Sequence, residues 1–138
     1  MTKTVIAMVA LATMAFAAPA SAEKLKATLD GKSEVPATTS GGTGTADLDY
    51  DAASKKLSWK LTYSGLSGPA TAAHFHGPAE SGKNAGVAVP IPGAANSPVE
   101  GSATLTDAQA ADLLAGKLYV NIHTAANPGG EIRGQVMK

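Results

Sequence analysis

The sequence predicts an all-β domain, built as an antiparallel sandwich or flattened barrel, on three observations. Apolar and polar residues alternate with a period of two along most of the chain after Glu23, which is typical of strands that bury one face. Links rich in Gly, Pro, Asn and Asp separate these stretches. Only one stretch has helical spacing. About eight short strands and one short helix favour an immunoglobulin-like, Greek-key β-sandwich.

Residues 1–22 have the features of a secretory signal peptide. Lys3 supplies a positive charge, residues 5–17 are apolar, and Ala20-Ser21-Ala22 fits the small-x-small cleavage rule. The apolar stretch is too short to cross a bilayer of about 30 Å as a helix, although an uncleaved anchor is the alternative. We expect residues 23–138 to form a single mature domain without a membrane span, which is periplasmic or secreted.

The first three strands are predicted over residues 24–29, 45–50 and 56–63. The turn-prone segment 51–54 joins the second to the third, which predicts a hairpin. Trp59 and Tyr63 lie on the apolar face of this hairpin, so we expect them in the core. An exposed aromatic platform for a ligand is the alternative.

The rest of the chain alternates in the same way up to its end. Strands are predicted over residues 70–76, 87–91, 99–105, 117–124 and 131–137. Pro90 and Pro92 restrict residues 87–91 to an edge of the sheet, because proline cannot donate to a ladder. Thr106 and Gln109 form a capping box that predicts a short helix near residues 106–115. Gly129-Gly130 predicts a tight turn with positive φ.

Composition restricts the possible partners. Eleven basic residues less Lys3 leave ten in the mature chain, against eleven acidic ones, and a net charge near −1 argues against a nucleic-acid partner. The chain has no cysteine, so an exported domain of this sequence has no disulfide. Its stability must come from the core, with a bound metal ion as a further contribution.

All three histidines lie in two predicted strands, at His74, His76 and His123. Residues i and i+2 of a strand point to the same face about 7 Å apart, so His74 and His76 can turn toward one point. His123 shares the polar face of its strand with Tyr119 and Asn121. If the strands are neighbours, three neutral imidazoles meet on one surface, which suits copper or zinc and leaves a position for another ligand. Exposed histidines, or histidines bonded to a loop, are the alternative.

Other polar residues are weaker candidates. Glu131 and Arg133 are expected to form an exposed strand face or a salt bridge. Glu80 and Asn84, in the loop after His76, are expected to be solvated, with completion of a coordination shell as the alternative. Tyr119 is expected to pack at a strand edge, with a role as a ligand or a donor to one as the alternative.

Nothing in the sequence supports hydrolytic chemistry. There is no cysteine and no Gly-x-Ser-x-Gly nucleophile motif. The Gly129-Gly130 turn has neither the lysine nor the following helix of a phosphate-binding loop. We therefore expect no catalytic residues, and superoxide dismutation or another copper redox reaction is a minor alternative.

Three segments resemble the CHRD (chordin-type) domain family: residues 73–79, 113–124 and 127–135. The resemblance spans about residues 24–136. That family occurs in chordin and in many bacterial exported proteins, and it implies an immunoglobulin-like β-sandwich without an established enzymatic activity. In chordin the domain belongs to a protein that binds growth factors, a partner that we do not transfer.

The segment His74-Phe75-His76 also resembles the His-x-His strand of the copper/zinc superoxide dismutases. A superoxide-dismutase-like barrel is therefore an alternative form of the fold. Three histidines and no cysteine are too few for the paired metal site and the disulfide of those enzymes.

The function predicted from the sequence is capture or buffering of a transition metal ion, copper before zinc, by an exported CHRD-domain protein. His74, His76 and His123 are the predicted ligands. The alternative is a non-catalytic protein-binding or adhesion module of the cell envelope, which would act through edge strands and the loops 77–86 and 93–98.

Overall fold

The structure, a computed structural model, describes residues 22–138, so the predicted signal peptide lies outside the described residues except for Ala22. The strands are β1 (Glu23–Asp30), β2 (Thr43–Asp51), β3 (Lys56–Ser64), β4 (Ala70–His76), β5 (Val87–Ile91), β6 (Val99–Thr104), β7 (Tyr119–Thr124) and β8 (Ile132–Gln135). One helix, α1, covers Asp107–Leu114. The all-β prediction is confirmed, and the predicted strand ends differ from the observed ones by no more than a few residues.

All eight strands belong to one antiparallel sheet in the order β5-β4-β7-β8-β1-β2-β3-β6. The two edge strands, β5 and β6, follow each other in the chain with only residues 92–98 between them. A link of this length spans at most about 25 Å, so the sheet must curl until its edges approach. The result is a nearly closed, barrel-like sheet. Pro90 lies on edge strand β5, as predicted.

The apolar core fills the inside of the curled sheet. Trp59 of β3 packs edge-on against Phe75 of β4, with ring centroids 5.3 Å apart, although the two strands lie far from each other in the sheet order. Trp59 is only 4% exposed, and Tyr63 is half-buried and packs against the same core, which favours the core interpretation over a ligand platform. The larger buried side chains around this pair are Leu29, Leu57, Leu61, Leu118, Val120, Ile122, Ile132 and Val136.

Local signals in the sequence also form as predicted. The Thr106 hydroxyl accepts from the backbone N–H of Gln109, and the Gln109 side chain accepts from the backbone N–H of Thr106, which completes the capping box at the start of α1. Gly130 has φ +124°. Gly134 is required by a close approach of β1 to β8, because a Cβ there would lie 2.2 Å from the Thr28 carbonyl oxygen.

Two links cover the outer face of β4, β7 and β8. They are residues 31–42, between β1 and β2, and residues 77–86, between β4 and β5. The side-chain amide of Asn84 joins them by donating to the Val35 carbonyl at 3.0 Å. Beneath or beside them lies a set of buried polar residues outside the apolar core: Glu34, His76, Asn121, Thr124, Glu131 and Arg133. Within residues 22–138, no helix is long and apolar enough to cross a membrane.

Candidate metal centre

The three histidines lie on the outer face of two neighbouring strands. β4 pairs with β7 in a register that places Ala72 opposite His123 and His74 opposite Asn121. Because side chains alternate along a strand, His74, His76 and His123 project to the same side, away from the core residues Phe75 and Ile122. The strand adjacency required by the sequence prediction is therefore present.

The ring nitrogens of the three histidines converge. One nitrogen from each ring lies within 4.8 Å of the other two. Nδ1 of His74 and Nε2 of His123 are 3.0 Å apart. Nitrogens that share an ion at about 2.0–2.1 Å are separated by about 3–3.5 Å, so any pair near the upper limit must close by about 1 Å when an ion binds.

Two of the imidazoles are held by backbone carbonyls. The Nδ1 of His76 lies 2.9 Å from the Ala85 carbonyl oxygen, and that of His123 lies 2.8 Å from the Pro128 carbonyl oxygen. A carbonyl only accepts, so each Nδ1 carries the proton in the neutral ring and each Nε2 presents a lone pair. The lone pair of His123 Nε2 accepts a hydrogen bond from Nδ1–H of His74, and an ion bound by both nitrogens takes the place of that proton. Orientation of metal-binding histidines by such carbonyls is common in metal sites.

His76 has the most constrained ring of the three. It stacks on Tyr119 with centroids 4.9 Å apart and an interplanar angle of 2°, and the guanidinium carbon of Arg133 lies 3.9 Å from the centre of the same tyrosine ring. The Tyr119 hydroxyl donates to the Ala85 carbonyl and accepts from the Ala85 N–H, both at 3.1 Å. One backbone unit, Ala85, thus fixes both His76 and the aromatic ring beside it.

Burial favours the neutral form of two histidines. It lowers the pKa of His74, and the neighbouring His123 and His76 lower it further. Burial also lowers the pKa of His76, against a smaller opposing effect of its hydrogen bond to Ala85 and its contact with Asn121. Near neutral pH both rings are therefore uncharged, the state in which imidazole binds a metal.

A buried ion pair lies next to the histidine cluster. Arg133 Nε donates to Glu34 Oε2 at 3.3 Å, and the two side chains are only 5% and 2% exposed. The guanidinium also donates to the Lys83 carbonyl and the Asn84 side chain. Burial raises the pKa of Glu34, and the charge of Arg133 opposes that rise. Of the two interpretations given for Arg133, the salt bridge is correct and the exposed face is wrong.

A second buried carboxylate, Glu131, is surrounded by donors. Five hydrogen bonds reach it, from the Ser40 hydroxyl, the Ser67 hydroxyl and backbone N–H, the Thr124 hydroxyl and the Asn127 amide. Burial acts to raise the pKa of Glu131, but the hydrogen bonds from Ser67, Thr124 and Ser40 outweigh it and lower the pKa to about 2. The expectation of an exposed Glu131 is wrong, since the residue is fully buried.

The remaining candidates from the sequence lie around this face. Glu80 is exposed, as expected. Asn84 is exposed, but it bonds to Arg133 and Val35 and so holds the covering links together. Tyr119 is buried beneath those links and not at a strand edge, because β7 lies between β4 and β8.

Sequence reasoning missed two buried polar residues of this face. Glu34 lies in the irregular link after β1, where no periodicity predicts burial. Alternation puts Asn121 on the same face as His123 but does not predict its burial. The residue is only 2% exposed because the two links cover it. The side-chain oxygen of Asn121, Nε2 of His76 and Oε1 of Glu34 are buried without a hydrogen-bond partner.

Fold and site together define an eight-stranded, barrel-like β domain with a histidine cluster on the outer face of the sheet. The chain belongs to the CHRD domain family, whose family model matches residues 25–136. Neither the curated proteins nor the solved structures include a match to this chain.

Proposed function

We propose that this chain is an exported CHRD domain that captures or buffers a transition metal ion, copper in preference to zinc, through His74, His76 and His123. The observation that carries the proposal is the convergence of three ring nitrogens within 4.8 Å. The carbonyls of Ala85 and Pro128 support it, because they leave the Nε2 lone pairs of His76 and His123 unprotonated.

The preference for copper rests on affinity. Divalent copper binds nitrogen ligands more tightly than zinc does, and the site offers three imidazole nitrogens.

Exposure of the cluster fits capture and release better than permanent structural binding. His74 and His123 are partly exposed, whereas only 8% of the surface of His76 is exposed. An ion can therefore reach two of the ligands from solvent and be drawn onto the third. Export follows from the signal-peptide features of residues 1–22, which would place the site outside the cytoplasm.

The direct test is titration of the mature protein, residues 23–138, with Cu(II) against a competing chelator. We expect saturation near one ion per chain and nitrogen hyperfine structure in the electron paramagnetic resonance (EPR) spectrum. Replacing all three histidines by alanine should abolish binding, and replacing any two should reduce it at least 100-fold, because a single imidazole holds the ion poorly.

The control variant is Glu80→Gln, which changes an exposed carboxylate in the loop after His76 and should bind copper like the parent. The triple-alanine variant retains the N-terminal amine and every carboxylate, so it measures binding outside the cluster. Copper binding by this variant equal to that of the parent would overturn the proposed function.

A further inference from the structure

A buried amide lies in the centre of the histidine cluster. Asn121 is opposite His74 in the register of β4 and β7, and it is two residues from His123 on the same face of β7. His76 is its diagonal neighbour on β4, and Arg133 is opposite it on β8. Asn121 therefore lies on the sheet surface between the three imidazoles, and it is only 2% exposed.

Two acceptor atoms in this part of the cluster have no hydrogen-bond donor. Oδ1 of Asn121 and Nε2 of His76 are both buried without a hydrogen-bond partner. The proton of the neutral His76 ring is on Nδ1, facing Ala85, so Nε2 presents a lone pair to its surroundings. Leaving a buried acceptor unsatisfied destabilises the fold. A metal ion would satisfy both atoms at once.

Glu34 indicates which way the amide of Asn121 faces. A Cβ placed on Gly130 would lie 2.5 Å from Glu34 Oε1 and 2.7 Å from Asn121 Nδ2, so these two atoms are at most about 5 Å apart. Their contact also acts to lower the pKa of Glu34. An amide nitrogen donates and a carboxylate oxygen accepts, which makes this orientation favourable. Arg133 holds the other carboxylate oxygen of Glu34. The Oδ1 of Asn121 is then directed away from Glu34, toward the histidines.

We propose that Asn121 Oδ1 is the fourth ligand of the ion held by His74, His76 and His123. This inference rests on the proposed function and adds an oxygen donor to the three nitrogens. An amide oxygen is a hard donor that stabilises Cu(II) more than Cu(I), so Asn121 sets which oxidation state the site prefers. With this ligand, the ion would also contact both buried acceptors that otherwise lack donors, Asn121 Oδ1 and His76 Nε2.

The test compares the parent with Asn121→Leu, which has a similar volume but no donor atom. We expect Asn121→Leu to bind Cu(II) at least tenfold more weakly and Cu(I) within about threefold of the parent. The EPR spectrum of the bound Cu(II) should change, because one ligand is lost. The matched control is Asn96→Leu, the same change at an exposed loop residue.

A second variant, Asn121→Asp, retains an oxygen donor toward the histidines but turns its other carboxylate oxygen toward Glu34, so it should bind Cu(II) more tightly than Asn121→Leu. If Asn121→Leu binds Cu(II) with the affinity and spectrum of the parent, the fourth-ligand assignment is overturned while the three-histidine site stands. Equal losses for Cu(II) and Cu(I) would also overturn it, because they indicate general damage to the site. A parent protein that binds no copper would overturn the proposed function itself, and this inference with it.

Discussion

Two buried polar clusters lie on the outside of the same barrel, and they differ in how their atoms are satisfied. In the first, the Glu131 carboxylate accepts five hydrogen bonds, from one covering link, from strand β7 and from the loops before β4 and after β7. In the second, the cluster around His76 and Asn121, buried acceptors have no donor. Both clusters lie near strand β7, so a shortage of hydrogen-bond donors in this part of the fold does not explain the difference.

Under the proposed function, the difference separates a structural site from a ligand site. Buried polar groups in folded proteins are nearly always paired, and Glu131 follows that rule. His76 Nε2 and Asn121 Oδ1 are acceptors without donors, so their burial lowers the stability of the metal-free fold. A bound cation would interact favourably with both. We therefore expect substitutions in the first cluster to act on stability, and those in the second to act on metal binding.

The largest expected effect on stability is that of Glu131→Gln. The substitution removes the charge and turns an amide N–H₂ toward surrounding donors, so the free energy of unfolding should fall by about 3–5 kcal/mol, as for other disrupted buried charges. Urea unfolding monitored by Trp59 fluorescence measures it, with the exposed Glu100→Gln as control. Copper affinity should stay within about threefold of the parent. A fall of less than about 1 kcal/mol would show that Glu131 does not hold the loops around it in place.

Copper itself should have the next largest effect on stability. A ligand that binds only the folded state at 100 times its dissociation constant adds about 2.7 kcal/mol to the free energy of unfolding. For a domain of this size the melting temperature should rise by roughly 10 °C. The triple-alanine variant should show no rise. Equal rises in the two proteins would show that copper binds elsewhere on the chain.

Acid should destabilise the metal-free protein in two separate ranges. The pKa values of His74 and His76 are lowered from 6.5 in the folded state, so the unfolded chain binds more protons and stability begins to fall as the pH drops below about 6.5. The pKa of Glu131 is about 2 instead of 4.5, so its contribution is complete above 4.5 and is lost as the pH falls toward 2.

Variants assign the two ranges. Unfolding free energies measured by urea between pH 8 and pH 3 should lose the upper decline in the triple-alanine variant and the lower decline in Glu131→Gln. Copper affinity should fall with the upper decline, because protons compete with the ion for the same nitrogens. An upper decline that persists without the histidines would contradict this assignment.

Much of the fold was predictable from alternation, because each strand buries one face in a single core. The adjacency of the histidines was not, since the order β4-β7-β8 is set by long-range pairing that no local pattern records. His74 and His76 could be placed on one face, but their approach to His123 needed the strand pairing. Glu34 gave no signal at all, because its burial depends on how the link between β1 and β2 folds over the sheet.

The smallest expected effect is that of Tyr119→Phe, which tests whether Ala85, the backbone unit that orients His76, depends on its two hydrogen bonds to the Tyr119 hydroxyl. The phenylalanine keeps the ring between His76 and Arg133 but loses the hydroxyl that donates to the Ala85 carbonyl and accepts from the Ala85 N–H. We expect a loss of about 1 kcal/mol in unfolding free energy and a few-fold weaker copper binding. Tyr119→Leu, which also removes the aromatic stack, should weaken binding further. If both variants bind copper like the parent, the carbonyl of Ala85 alone orients His76, and the stacked column of Arg133, Tyr119 and His76 serves only the packing of the outer face.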